Sequence, residues 1–130
     1  MPDNPKRLLI VDDEPVVAEF IARVLDRQGF TVDIATDGET ARALIDKNDY
    51  TAAIVDMRMP RMNGRQLYDY IKAARPGLAK NVIFTSGELI DASTAAFLAG
   101  EKLFFLNKPF GTEALKAAVE KTLSAPRVGA

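Results

Sequence analysis

The chain has 130 residues, of which 48% are hydrophobic and 27% are charged, and its formal net charge is -1. These values are typical of one globular domain with one hydrophobic core, and they give no support for nucleic-acid binding driven by bulk positive charge. Cysteine and histidine are both absent, which excludes disulfides, thiolate or histidine zinc sites and a phosphohistidine within this chain.

Apolar runs alternate with helical patterns along the whole chain. Each apolar run predicts a strand, and the apolar spacing that follows it predicts a helix. In chain order, the predicted strand and helix pairs are Arg7–Val11 with Pro15–Gln28, Thr31–Ala35 with Gly38–Lys47, Ala52–Val55 with Gly64–Ala74, Val82–Thr85 with Asp91–Ala99, and Leu103–Leu106 with Thr112–Leu123.

Turn and cap residues predict where these helices begin and end. Asp13 can cap the first helix, and Gly29 suits the position just after its end. The pair at positions 76–77, proline and glycine, is expected to end the third helix, and Gly100 the fourth. Thr112 is expected to cap the last helix.

The predicted strands are apolar throughout instead of alternating with polar residues. This pattern is typical of a parallel sheet that helices cover on both faces, so we expect a doubly wound α/β fold. We expect one domain over residues 1–130 with an ordered core at about 7–123 and loose ends at Met1–Lys6 and Ala125–Ala130. No apolar run approaches membrane-spanning length and no signal-peptide core is present, so we expect a cytoplasmic location and no membrane partner.

Reactive polar groups follow three of the predicted strands. Asp12 and Asp13 follow the first strand, Asp56 the third and Lys108 the fifth. Ligands of doubly wound folds bind beyond the carboxyl ends of the strands, where these groups would meet. Clustered carboxylates repel each other unless a cation lies among them, and Mg²⁺ prefers oxygen ligands together with phosphate oxygens. A carboxylate can also attack phosphorus and form an aspartyl phosphate.

Five segments together resemble the receiver domain of two-component response regulators. They lie at Val11–Pro15, Val55–Pro60, Met62–Gly64, Thr85–Gly87 and Asn107–Phe110. The resemblance runs from about residue 7 to residue 123, and the spacing from Asp56 to Ser86 and Lys108 also fits. It implies a flavodoxin-like fold with five parallel strands in the order 2-1-3-4-5.

The resemblance also implies a role for each site residue. Asp56 would accept the phosphoryl group. Asp13 and Asp56 would bind Mg²⁺ directly, together with the backbone carbonyl of Arg58, and Asp12 would act through water. Lys108 would pair with the phosphoryl oxygens, and the peptide bond to the following proline is expected to be cis.

Three further residues would respond to or modulate phosphorylation. Ser86 would supply the hydroxyl drawn toward the phosphoryl group, and Phe105 lies where the family often has a rotating aromatic side chain. Arg58 and Glu88 flank the acceptor, and our hypothesis is that they pair across the mouth of the site and hinder the hydrolytic water. The glycine at position 87 would leave room for phosphate.

Other interpretations of these residues remain open on sequence alone. Asp12 and Asp13 could only cap the first helix, and Asp56 could be a turn residue at a strand end. Thr85 competes with Ser86 for the hydroxyl role. Phe105, between two other apolar residues, could simply belong to the core.

The predicted function is that of a signalling switch. A sensor histidine kinase or a histidine phosphotransfer protein would phosphorylate Asp56, and the face formed by the fourth helix, fifth strand and fifth helix would change for an unknown downstream effector. The chain would catalyse its own phosphorylation and dephosphorylation without being a conventional enzyme. The alternatives are a phosphorylation-independent interaction module and an aspartyl-phosphate phosphatase, although Arg58 occupies the position of the second acid that such phosphatases need. The sequences of residues 84–87 and 107–110 are similar to those of receiver domains in hybrid sensor kinases.

Overall fold

The structure, a computed structural model, describes residues 6–124. The predicted loose end at Ala125–Ala130 and residues 1–5 of the predicted N-terminal end lie outside the described residues. Lys6 is described, and its carbonyl accepts a hydrogen bond of 2.9 Å from the Thr31 N–H. The ordered region therefore begins slightly before the predicted core.

Five strands and six helices occur in the described part of the chain. In order they are β1 (Arg7–Val11), α1 (Pro15–Arg27), β2 (Thr31–Ala35), α2 (Gly38–Lys47), β3 (Ala52–Asp56), α3 (Gly64–Ala74), α4 (Pro76–Ala79), β4 (Val82–Ser86), α5 (Ala92–Glu101), β5 (Phe104–Asn107) and α6 (Thr112–Ser124). All strand pairs are parallel and the strand order is β2-β1-β3-β4-β5. This confirms the predicted flavodoxin-like fold.

Side chains of the central strands alternate between two hydrophobic clusters, one on each face of the sheet. In β1, Leu9 belongs to one cluster and Leu8 and Ile10 belong to the other. The first cluster includes residues of α2, α3 and α5, and we call its side the α2–α3–α5 face. The second includes residues of α1 and α6, and we call its side the α1–α6 face. A continuous apolar run therefore serves both faces at once.

The two edge strands are less covered than the apolar pattern predicts. Ile34 of β2 and Phe104 of β5 are 37% and 38% exposed, whereas all five residues of β3 are buried. Asp33 in β2 accepts a hydrogen bond of 2.7 Å from the Tyr50 hydroxyl. An edge strand has only one neighbour, so its side chains receive less cover than those of a central strand.

Two predicted caps were wrong, although α1 and α6 begin at the predicted residues and α3 ends where predicted. Asp13 does not cap α1, because the N-cap residue is Glu14 and no side chain makes a capping hydrogen bond. Thr112 is the first residue of α6, and the preceding Gly111 carbonyl accepts the Leu115 N–H at 3.2 Å. Pro76 follows the end of α3 but starts the short helix α4, since a fixed φ suits a first helical position.

A glycine follows the end of α1, whereas the glycine near the end of α5 does not end that helix. Gly29 comes after α1 with a φ of 95°, a left-handed conformation that favours glycine. Gly100 was predicted to stop α5, but the helix continues to Glu101, and Lys102 takes the left-handed position with a φ of 59°. A glycine is therefore tolerated inside the last turn of α5 without ending it.

Candidate functional site

Asp56 is the last residue of β3 and is only 4% exposed. Its Oδ1 atom accepts the Arg58 N–H at 3.1 Å, and its Oδ2 atom accepts a hydrogen bond of 3.1 Å from the Lys108 ammonium. The central position of β3 in the sheet surrounds this carboxylate with the ends of β1 and β4. The predicted phosphoacceptor is thus a buried carboxylate with both oxygens hydrogen-bonded.

Asp12 follows β1 and is 1% exposed. Its Oδ1 atom accepts the Glu14 N–H at 2.9 Å, so this carboxylate stabilises the loop before α1 without capping the helix. Carboxylate oxygens of Asp12, Asp13, Glu14 and Asp56 lie within 4.8 Å of one another. The structure therefore brings together the three predicted acids and adds Glu14, which we had not singled out.

Lys108 reaches this acidic cluster from the end of β5. Its Nζ atom lies 3.0 Å from Asp12 Oδ2, 2.9 Å from Glu14 Oε1 and 3.1 Å from Asp56 Oδ2. Its backbone N–H donates to the Ser86 carbonyl at 2.8 Å, and the bond to Pro109 is cis as expected. Burial alone would lower the pKa of Lys108, but its close contacts with the Glu14, Asp12 and Asp56 carboxylates raise the pKa above its usual range. The ammonium is therefore charged at neutral pH.

The Asp56 carboxyl titrates above its ordinary range. Burial is the main cause of this raised pKa, and the nearby Asp12 charge adds to it. The Arg58 N–H and the Lys108 ammonium favour the ionised form but do not cancel the effect of burial. The positive groups beside Asp56 therefore do not fully compensate for the burial of its carboxylate.

The residues present fit a divalent cation such as Mg²⁺. Four clustered carboxylates face one ammonium, which leaves the described cluster negative. Asp12 Oδ2 is buried, and its contact with the Lys108 ammonium lacks hydrogen-bonding geometry. A buried anionic oxygen without a hydrogen bond is costly, and a hard cation with oxygen ligands would stabilise it.

Ser86 is buried at the end of β4, next to the site, but its hydroxyl is engaged locally. Its Oγ atom accepts the Glu88 N–H at 3.1 Å and donates to the Glu88 carbonyl at 3.3 Å. The Ser86 hydroxyl is therefore hydrogen-bonded within its own loop. A Cβ atom added at Gly87 would lie 3.9 Å from Lys108 Cβ, an ordinary contact distance.

Arg58 and Glu88 form an ion pair between the loops that follow β3 and β4. The Arg58 Nη1 atom donates a hydrogen bond to Glu88 Oε1, and the two side chains are 68% and 60% exposed. Phe105 lies away from the acidic cluster. It is partly buried and packs on the α2–α3–α5 face, beside Phe84 in register.

Glu14 is the site residue that sequence reasoning missed. The sequence feature that indicated it is its place among three consecutive acids at positions 12–14, which we interpreted only as part of the segment Val11–Pro15. Its carboxylate is 61% exposed, yet it touches the Lys108 ammonium across 94 positions of sequence. Only the fold shows which member of an acidic run faces a lysine that far along the chain.

Comparison with known proteins agrees with this geometry. Residues 8–120 match the family model described as the response regulator receiver domain. The chain belongs to this family. The receiver domain also resembles TcrA, a transcriptional regulatory protein of Mycobacterium tuberculosis, with 32% identity over 111 residues that cover 85% of this chain and 43% of TcrA.

Solved structures of receiver domains share the fold. A CheY-like receiver domain protein from Methanospirillum hungatei matches with a TM-score of 0.83 and 25% identity, covering 92% of this chain and 94% of that one. The response regulator TrrA from Thermotoga maritima, solved in complex with Mg²⁺-BeF, matches with a TM-score of 0.77 and 27% identity, covering 91% of this chain and 99% of TrrA.

The receiver domain spans only part of the full-length relatives. Its matches cover 43%, 28% and 51% of three curated response regulators. Among residues 6–124, no helix is long and apolar enough to cross a membrane.

Proposed function

We propose that this receiver domain is a phosphoacceptor switch in which Asp56 receives a phosphoryl group from a phosphohistidine. The donor would be a sensor histidine kinase or a histidine phosphotransfer protein. The observation that carries the proposal is the buried Asp56 carboxylate held between the Asp12 carboxylate and the Lys108 ammonium. The cytoplasmic location expected from the sequence stays a prediction.

In the proposed reaction an oxygen of Asp56 attacks phosphorus and forms a new P–O bond. The P–N bond of the phosphohistidine breaks, and its electron pair returns to the imidazole of the donor, which takes up a proton. The fixed position of Asp56 favours in-line attack, and the Lys108 ammonium offsets charge on the phosphoryl oxygens. Asp13, Asp56 and the Arg58 carbonyl would hold Mg²⁺, with Asp12 acting through water, and the ion would offset further phosphoryl charge.

The new phosphoryl group would change the loops around the site. It adds a charge of about -1.5 to -2, and we propose that Ser86 leaves Glu88 to hydrogen-bond to it. Phe105 would then turn inward, and the surface of α5, β5 and α6 would change for an effector. This surface corresponds to the predicted face of the fourth helix, fifth strand and fifth helix, because α4 adds one helix to the predicted count. A two-state equilibrium biased by phosphorylation would link these movements.

Known relatives support the proposal at the level of class. TrrA has been solved with Mg²⁺-BeF, and TcrA is named a transcriptional regulatory protein. We therefore propose Mg²⁺ as the cofactor and an unknown downstream effector as a partner. The resemblance to hybrid-kinase receivers stays a prediction. We also propose that the domain catalyses its own phosphorylation and dephosphorylation without being a conventional enzyme.

Intact mass measurement tests the proposed reaction. The protein is incubated with Mg²⁺ and a small acyl-phosphate donor, beside an Asp56→Asn variant and a control variant, Asp26→Asn, which changes an exposed acid on α1. We expect one phosphoryl adduct on the wild type and on Asp26→Asn, lost on Mg²⁺ chelation, and none on Asp56→Asn.

Two other results would replace the proposal. A chain that gains no adduct that depends on both Mg²⁺ and Asp56 would be a phosphorylation-independent interaction module. Repeated turnover of phosphomonoesters would instead identify an aspartyl-phosphate phosphatase.

A further inference from the structure

Thr85 carries a hydroxyl that nothing in the described chain satisfies. The residue is 1% exposed, and its Oγ1 atom is buried without a hydrogen-bond partner among residues 6–124. A hydroxyl removed from water without a partner destabilises the state in which this occurs. The adjacent Ser86 hydroxyl, by contrast, makes two hydrogen bonds to Glu88.

Strand alternation places Thr85 on the same side of the sheet as Asp56. Ile83 and Ile54 both belong to the cluster on the α1–α6 face, and side chains two residues apart in a strand point to the same face. Thr85 and Asp56 are also direct Cα partners in the parallel pairing of β3 with β4. Neighbouring strands lie about 4.8 Å apart, so the hydroxyl and the carboxylate are cross-strand neighbours.

Both oxygens of Asp56 have other partners in the resting structure. Oδ1 accepts from the Arg58 N–H, and Oδ2 accepts from the Lys108 ammonium. Phosphorylation changes this arrangement, because it gives Lys108 a more strongly charged partner in the phosphoryl group. A carboxyl oxygen of Asp56 then loses its donor, while the hydroxyl of Thr85 can rotate to supply one.

We infer that Thr85 is a positioning residue whose hydroxyl hydrogen-bonds to the Asp56 carboxyl group after phosphorylation. This inference rests on the proposed function. The hydroxyl would be unsatisfied in the resting state and satisfied in the phosphorylated state, and would therefore bias the switch toward the phosphorylated state. Ser86 would hydrogen-bond to the phosphoryl group, and Thr85 would hydrogen-bond to the Asp56 carboxyl group that carries it.

The test compares Thr85→Val, which keeps the side-chain shape and removes the hydroxyl, with Thr85→Ser, which keeps the hydroxyl. Beryllium fluoride with Mg²⁺ serves as a stable phosphoryl mimic, and thermal unfolding is measured with and without it. We expect Thr85→Val to unfold at the same or a higher temperature than wild type when the mimic is absent. We expect its temperature rise on adding the mimic to be smaller, and Thr85→Ser to restore the rise.

Hydrolysis of the acyl phosphate gives an independent readout on the same proteins. Loss of one hydrogen bond to the phosphorylated state corresponds to about fivefold faster hydrolysis in Thr85→Val, with Thr85→Ser close to wild type. Wild-type hydrolysis and a wild-type response to the mimic in Thr85→Val would overturn the inference, as would an equal loss of stability with and without the mimic. A wild-type chain that takes neither phosphoryl group nor mimic would overturn the proposed function as well, so the two failures are distinguishable.

Discussion

The charge balance around Lys108 decides the chemistry at the scale of single residues. The Lys108 ammonium contacts the carboxylates of Asp12, Glu14 and Asp56. Burial raises the pKa of Asp56 above its ordinary value. Each carboxylate attracts the ammonium but repels its neighbours, so no arrangement of these side chains alone neutralises the cluster. A cation or a change of partner for Lys108 therefore has a direct effect on Asp56.

Substitution of Arg58 or Glu88, which form an ion pair, tests whether access of water limits the lifetime of the phosphoryl group. We expect Arg58→Ala and Glu88→Ala each to speed hydrolysis of the acyl phosphate by about two- to tenfold, the range for one weak interaction. Because both side chains are more than half exposed, we expect thermal stability to change little. The rate is measured as loss of the adduct by intact mass.

A second surface ion pair, on α6, supplies the control for that experiment. Lys116 and Glu113 lie 3.8 Å apart on α6, and Lys116→Ala should leave hydrolysis unchanged. Equal hydrolysis rates for wild type, Arg58→Ala and Glu88→Ala would show that the pair does not hinder water.

At the scale of elements, close contact between α3 and β3 holds Asp56, the proposed phosphoacceptor. Asn63 caps α3 by accepting the Gln66 N–H at 2.8 Å, and the side-chain oxygen of Gln66 accepts the Asn63 N–H at 2.9 Å. The first residue of α3, Gly64, approaches the backbone of Asp56 so closely that a Cβ atom would lie 2.6 Å from the Asp56 carbonyl oxygen. The helix start therefore fixes the backbone of the acceptor.

Gly64→Ala should disturb the acceptor and the fold together. The new Cβ would meet backbone atoms of Asp56 and Met57, which cannot move aside as a flexible side chain can. We expect a loss of about 1–3 kcal/mol in the free energy of unfolding and slower phosphorylation of Asp56. Chemical denaturation and adduct formation measure the two effects.

Gly100→Ala is the matched control, because nothing lies within 4 Å of a Cβ added there. This glycine is inside α5, so alanine should stabilise the protein by up to about 1 kcal/mol. Similar stability of Gly64→Ala and wild type would show that α3 can shift away from β3.

Helix α5 contacts α3 and β4 through the Phe97 ring, which packs against Tyr68 and Phe84, and through groups near the surface. Only Leu98 is fully buried in α5, while Glu101 accepts a hydrogen bond of 2.9 Å from the Tyr68 hydroxyl and pairs with Lys72 at 3.1 Å. Arg65 also stacks over the Phe97 ring at 3.7 Å. Helix α5 buries one residue, against three in α1 and four in α3, so we expect α5 to be less firmly anchored, as the proposed change of its surface on phosphorylation requires.

At the scale of the whole molecule, we expect the buried Asp56 carboxylate to lower the stability of the fold at neutral pH. Because the pKa of Asp56 is raised in the folded state, folding disfavours its ionised form. We expect Asp56→Asn to raise the midpoint of thermal unfolding at pH 7. The gain should shrink as the pH falls through the raised pKa and vanish below about 3.9, the ordinary value for aspartate.

Thermal unfolding from pH 3 to pH 8 measures this dependence, with Asp26→Asn as the exposed control. For a domain of this size, about 1 kcal/mol corresponds to roughly 4 °C in the midpoint. A gain that stayed constant across this range, or a loss at pH 7, would contradict the assigned charge state of Asp56.

Mg²⁺ should reverse part of this destabilisation. A cation that binds the folded state raises the midpoint of unfolding as its concentration rises above the dissociation constant. We expect such a rise for wild type, a smaller one for Asp56→Asn and none with an equal concentration of a monovalent salt. Equal rises for wild type and Asp56→Asn would place the ion away from the acceptor.

The sequence alone predicted most of the fold and the center of the site. Apolar runs, helical spacing and strand-end acids are local patterns, and they located every strand, five of the six helices, Asp12, Asp13, Asp56 and Lys108. The errors occurred where local signals compete. Gly100 was predicted to stop α5, yet the helix continues to Glu101, and Pro76, which follows the end of α3 as predicted, also begins the short helix α4.

The sequence by itself determined which groups reach the carboxyl edge of the sheet, because strand periodicity and loop position are encoded within a few residues. The tertiary structure alone decided which of those groups touch. It brought Glu14 to Lys108, engaged Ser86 with Glu88, and left the hydroxyl of Thr85, beside Asp56, without a hydrogen-bond partner among residues 6–124. Such contacts depend on strand register and loop geometry across distant parts of the chain, which no local pattern specifies.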